Sequence, residues 1–112
     1  VLHEQLEIDA ENTIILQNLA VLYSQKADYG KAHDCLERIV RIQPGNADGY
    51  YNIACVYARQ GEVEKSIQWL NKAFEKGFSD YELLKTDKDL DNVRHSDKFK
   101  KLINDQGGGM EN

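Results

Sequence analysis

Proline, methionine and tryptophan each occur once in the 112 residues, and cysteine occurs twice. With Pro44 as its only proline, the chain has little to interrupt long helices. Cys35 and Cys55 form no CxxC pair, and His3, His33 and His95 are scattered, so no metal-binding spacing is spelled out. Unpaired thiols fit a reducing compartment, and a cytoplasmic location is the expectation. Positive charge is also short. Lys plus Arg number 14 against 19 Asp plus Glu, a net charge of -5. Phosphate recognition needs a basic face, so nucleic acid is not the expected partner. No apolar run approaches the roughly 20 residues of a membrane span, which argues against membrane insertion. Gly61 stands alone and the glycine run at 107–109 follows the last predicted helix, so no phosphate-cradling loop is present. Cys55 has no histidine beside it in sequence to activate a nucleophile. An enzyme is therefore not expected, and neither a cofactor nor a metal is assigned.

What the chain has in abundance is helical periodicity. Residues 12–26 carry Ile15, Leu16, Leu19, Ala20 and Tyr23 on an i, i+3/i+4, i+7 stripe, and residues 29–42 carry Ala32, Leu36, Ile39 and Val40. "QPGN" at 43–46 stops the second helix, because Pro44 cannot continue it and Gly45 admits a left-handed turn. Residues 47–60 and 63–76 repeat the theme, with Gly61 between them and Gly77 after them. The opening "VLHEQLEIDAEN" has no basic leader or uninterrupted apolar stretch, and reads as a helix cut part-way, hence a fragment of a longer protein.

Displaced by thirty-four residues, the chain matches itself: Asn18 falls on Asn52, Ala20 on Ala54, Tyr23 on Tyr57, Lys31 on Lys65 and Leu36 on Leu70. Large stays with large (Leu16/Tyr50, Leu19/Ile53, Val40/Phe74) and small with small (Ala32/Ser66). Small residues let two helices approach closely, and their large neighbours fill the space on either side. In this register Leu2 and Leu6 stand where Leu36 and Val40 do.

These residues resemble the tetratricopeptide repeat family, with Leu16, Leu19-Ala20, Tyr23, Ala32, Leu36 and Pro44 in one unit. The second unit supplies Tyr50, Ile53-Ala54, Tyr57, Gly61, Ser66, Leu70 and Ala73. The resemblance implies an all-α fold, a right-handed solenoid of antiparallel helix pairs. Residues 1–12 would end a preceding repeat, 13–46 and 47–80 would be full repeats, and 81–105 a C-terminal cap before a flexible tail at 106–112. Three positions depart from the pattern: Ala27 stands where glycine is preferred, Ile39 replaces a small residue and Phe78 replaces proline. The cap is read as a short helix over Tyr81–Lys85, a turn over Asp89–Val93, and a last helix started by Ser96 and running to about Ile103. Leu90, Phe99 and Leu102 are its buried residues. A calcium loop at Asp87, Asp89 and Asp91 is disfavoured, because the run lacks the glycine and distal glutamate of an EF-hand.

What the resemblance implies for function is a non-enzymatic adaptor that holds a protein or peptide segment in a groove lined by first helices. Carried over residue by residue, the groove falls on Ile14 or Asp48, Gln17 or Tyr51, and Val21 or Cys55. The next turn adds Ser24 and Gln25 in one unit, Ala58 and Arg59 in the other, and Lys85 comes from the aborted third unit. The partner-binding set is thus Gln17, Val21, Ser24, Gln25, Asp48, Tyr51, Cys55, Arg59 and Lys85. Each can also be read as a solvated surface residue. A second reading is self-association through an open apolar face at Val1–Ala10.

Overall fold

The computed structural model describes the backbone of residues 2–106 and the side chains of residues 12–106. The readings of Leu2, Leu6 and the apolar face at 1–10, and of the tail beyond 106, lie outside the described residues. Among those described the chain is all-helical, with no strand. Helices α1 (Leu2–Gln25), α2 (Tyr29–Ile42), α3 (Ala47–Arg59) and α4 (Val63–Glu75) are followed by a C-terminal segment. That segment holds α5 (Tyr81–Thr86), a 3-10 turn (Lys88–Leu90), α6 (Asp91–Arg94) and α7 (Asp97–Asp105). No helix of the described residues is long and apolar enough to cross a membrane.

The repeat register predicts a join between units at residues 12 and 13, but α1 runs through it as one helix. Neither glycine nor proline occurs between Leu2 and Gln25, so nothing there ends the backbone hydrogen-bond ladder. The other boundaries follow the local chemistry. Side-chain oxygens of Asp28, Asn46, Asp80 and Ser96 accept from backbone N–H groups in the first turns of α2, α3, α5 and α7. Three helices end in the same turn. Ala27, Gly61 and Gly77 adopt φ of 61°, 78° and 101°. The next N–H then reaches back to Tyr23 O at 2.8 Å, Tyr57 O at 2.9 Å and Ala73 O at 2.9 Å.

Successive helices pack on one another, α1 on α2, α2 on α3 and α3 on α4. The buried side chains form two clusters. Leu16, Ala20, Ala32, Leu36, Ile39, Ile53 and Val56 make the first, between α1, α2 and α3. The second joins Tyr51, Ala54, Leu70 and Ala73 to Leu84, Leu90, Val93, Phe99 and Ile103 of the C-terminal segment. Burying the leucine, isoleucine, valine and phenylalanine side chains among them stabilises the fold by about 1.5–3 kcal/mol each before chain entropy is subtracted. Small residues sit at the crossings, where the Ser66 hydroxyl donates to Ala54 O at 2.8 Å. Ile39, the large residue where a small one is preferred, is fully accommodated in the first cluster. The thirty-four-residue displacement has a structural counterpart: Lys31 lies over the Tyr23 ring, and Lys65 over Tyr57, each at 5.6 Å.

Arg94 organises the C-terminal segment. Its Nε donates to Leu84 O at 3.1 Å, its Nη2 to Asp87 O at 2.5 Å, and its Nη1 pairs with Asp91. The first satisfies a carbonyl that the end of α5 leaves without a helical partner, and the second adds to the Leu90 N–H bond that Asp87 O accepts at 3.1 Å. Asn92 then fastens the segment to α3, its amide donating to Ala58 O at 3.0 Å.

Candidate functional site

One helical turn separates Gln17 from Val21, and another separates Val21 from Ser24 and Gln25, so these side chains lie along one side of α1. Asn52, Cys55, Val56 and Arg59 do the same on α3. Between the two rows is a depression of about 190 Å³, with Leu36 at its base and Asp89 at its edge. A second depression, about 400 Å³, continues past Gln17 to Thr13, Ile14 and Gln43. The third, about 500 Å³, lies between α3 and α5 and is lined by Asp48, Tyr51, Asn52, Phe78, Asp80, Leu83 and Asp87 beside Gln17 and Asn46. Gln17 borders all three and Asn52 two, so the depressions adjoin one another and together make up a channel-like face. The side-chain amides of Gln17 and Asn52 have no hydrogen-bond partner among the described residues.

The C-terminal segment folds back over this face and changes what it offers. Tyr51, expected to project into an open groove, is only 4% exposed. Its ring stacks on Phe78 at 4.5 Å between centroids, and its hydroxyl donates to Asp87 Oδ2 at 2.5 Å. Cys55, also expected to face outward, is 5% exposed, with Sγ 3.8 Å from the same carboxylate oxygen. Arg59 reaches Asp89 at 3.4 Å. Burial pushes both Tyr51 and Cys55 well up from their ordinary values, and the nearby Asp87 carboxylate adds to the effect. The thiol is thereby kept protonated and poorly nucleophilic. Burial also raises the Asp89 carboxyl, as does Asp87, while Arg59 opposes the rise.

Cys55 Sγ and the carboxylates of Asp87 and Asp89 lie within 4.8 Å of one another, close enough to ligate a metal ion. Both carboxylates, however, already accept from Tyr51 and Arg59, and Asp91 pairs with Arg94. The acidic run that could be read as a calcium loop is thus committed to donors within the chain.

Of the nine residues assigned from sequence, the channel gathers Gln17, Val21, Ser24, Gln25, Cys55 and Arg59 in one depression and Gln17, Asp48 and Tyr51 in another. Lys85 borders none of the three; it pairs with Glu82 at 3.5 Å on its own helix. The channel also includes residues that the sequence does not assign to it: Asp80, Leu83, Asp87 and Asp89. Asp80 has a readable signal, as a helix-starting residue three positions before Leu83, but nothing in local periodicity places Asp87 against Tyr51.

A chloroplastic protein of Arabidopsis thaliana is 26% identical to this chain over 84 residues. The match covers 72% of this chain and 25% of that protein, so the chain spans about a quarter of its relative's length. No solved structure matches. The resemblance to tetratricopeptide repeats is not upheld, because the family model that matches is a different one. The residues of the thirty-four-residue register are small or large as any close-packed helix stack requires, so they report packing without identifying ancestry. Matched over residues 11–106, the chain belongs to the family described as A/B hydrolase-like, N-terminal domain.

Proposed function

We propose that the chain is a non-enzymatic interaction module that receives a segment of a protein partner in the channel between α1, α3 and α5. The observation that carries this reading is the pair of unpartnered amides, Gln17 and Asn52, set along the adjoining depressions. An amide side chain both donates and accepts, which suits the N–H and C=O groups of an extended peptide. Val21, 47% exposed, supplies apolar contact between them. In this reading α1–α4 form a right-handed stack of antiparallel pairs closed by the C-terminal segment. A recognition module beside a catalytic part fits the family's description as the N-terminal domain of hydrolase-like proteins. Selection of a displayed random dodecapeptide library on the 112-residue chain tests it. Selected peptides should lose at least about ten-fold in affinity with Val21→Asp or Asn52→Ala, both on the channel. Peptides indifferent to both changes would place the partner elsewhere.

A second reading, self-association, draws on Ile15 and Leu22. They are 54% and 51% exposed one above the other on α1. Light scattering at high protein concentration tests it, and a strict monomer ends it.

A further inference from the structure

Ser24 on α1 is only 6% exposed, and it lines the depression between α1 and α3. Its hydroxyl has no hydrogen-bond partner among the described residues. A hydroxyl that is almost buried and unpaired costs stability, and a ligand atom that donates to it or accepts from it relieves that cost. Beside Ser24 the depression is apolar, with Ala20, Leu36 and Val56 deep in it and Val21, 47% exposed, at its mouth. Its charges cancel. Among the described residues lining it only Arg59 and Asp89 are charged, and they pair with each other at 3.4 Å.

Size and chemistry together narrow the occupant. A cavity of about 150 Å³ takes benzene, so this one, at about 190 Å³, holds one six-membered ring and little more. A charged side chain finds no free counter-ion there, because Arg59 and Asp89 already hold each other. Phenylalanine fills the same space but leaves the Ser24 hydroxyl unpaired, whereas a phenol both donates and accepts at the edge of its ring. Given the channel as a peptide site, we infer that this depression receives the ring of a tyrosine from the partner segment, with the phenol hydroxyl on Ser24. The amides of Gln17 and Asn52 on the same depression then hold the adjoining backbone.

The peptides selected from the dodecapeptide library supply the probe, with affinity read by fluorescence anisotropy. They should share a tyrosine. Replacing it by alanine should weaken binding at least about ten-fold, and by phenylalanine about five-fold. Ser24→Ala should abolish the second difference, so that tyrosine and phenylalanine peptides bind this variant equally. Alanine is a strong helix former, so α1 should keep its stability in the variant. If the thermal midpoint nevertheless falls, the amide chemical shift of Ser24 in the unaltered chain carries the same test: tyrosine peptides should move it and phenylalanine peptides should not. Peptides that require Val21 and Asn52 yet lack tyrosine, or are indifferent to its hydroxyl, overturn the inference and leave the channel reading standing. So does a preference for tyrosine that Ser24→Ala leaves intact, or a Ser24 shift that both peptides produce. Peptides insensitive to Val21 and Asn52, or a library that yields none, count against both.

Discussion

The hydroxyl of Tyr51 on α3 donates to Asp87 Oδ2 at 2.5 Å, joining residues 36 positions apart, and the Cys55 thiol approaches the same oxygen. The contact closes the C-terminal segment over α3 and forms the wall shared by the channel and the second core. A hydrogen bond to a charged acceptor in a half-buried setting contributes about 1.5–3 kcal/mol. Tyr51→Phe keeps the stack on Phe78 and removes only this bond, so unfolding free energy should fall by about 2 kcal/mol. Urea denaturation measures it. With Asp87→Asn in a double-mutant cycle, the two changes should cost less together than the sum of each alone. Additive losses would mean that the bond contributes nothing as a pair.

Ala27 adopts φ of 61° where the equivalent turns use Gly61 and Gly77. A Cβ in this left-handed conformation costs about 1–2 kcal/mol. Ala27→Gly should therefore stabilise the chain by about 1 kcal/mol, the conformational relief outweighing the extra freedom that glycine gives the unfolded chain. Gly61→Ala should destabilise by a similar amount, although open space surrounds its Cβ position. Thermal midpoints moving in opposite directions would bear this out; two shifts of the same sign would refute it.

Alkaline pH should destabilise the fold. Tyr51 and Cys55 are held protonated in the native state above their ordinary values of 10.0 and 9.0, chiefly by burial. In the unfolded chain both lose protons near those values, so the native state then binds more protons and stability falls as pH rises. The stabilising contribution is complete below about pH 9 and lost progressively above it. Urea midpoints at about pH 8 and about pH 10.5, on either side of the ordinary thiol and phenol values, should show the decline. Cys55→Ser should give a shallower slope, and an unchanged slope in that variant would remove Cys55 from the account.

Much of the helical pattern is legible in the sequence because helix ends are local chemistry. Ser96 announces a start, Gly61 and Gly77 announce ends, and α2 spans the residues its periodicity marks. The long α1 differs from its reading because a register of matched residues implies a join where the backbone has no reason to break. Tyr51 and Cys55, read as groove residues, are buried instead, because Asp87 and Asp89 return to cover that side of α3, which local periodicity cannot announce. Family membership is hidden for a related reason. Ala20, Ala54 and Ser66 record the steric demand of close helix contact, which unrelated helix stacks share.

Helix α3 divides its buried residues between the two cores, Ile53 and Val56 to one, Tyr51, Ala54, Cys55 and Ala58 to the other. Neither core keeps its packing if this helix melts, so α3 makes the unfolding of the two ends cooperative. A ligand seated against Asn52 and Cys55 grips that coupling element directly. Its binding free energy is therefore distributed to both ends of the molecule, and occupancy at one face appears as a rise in the stability of the whole chain.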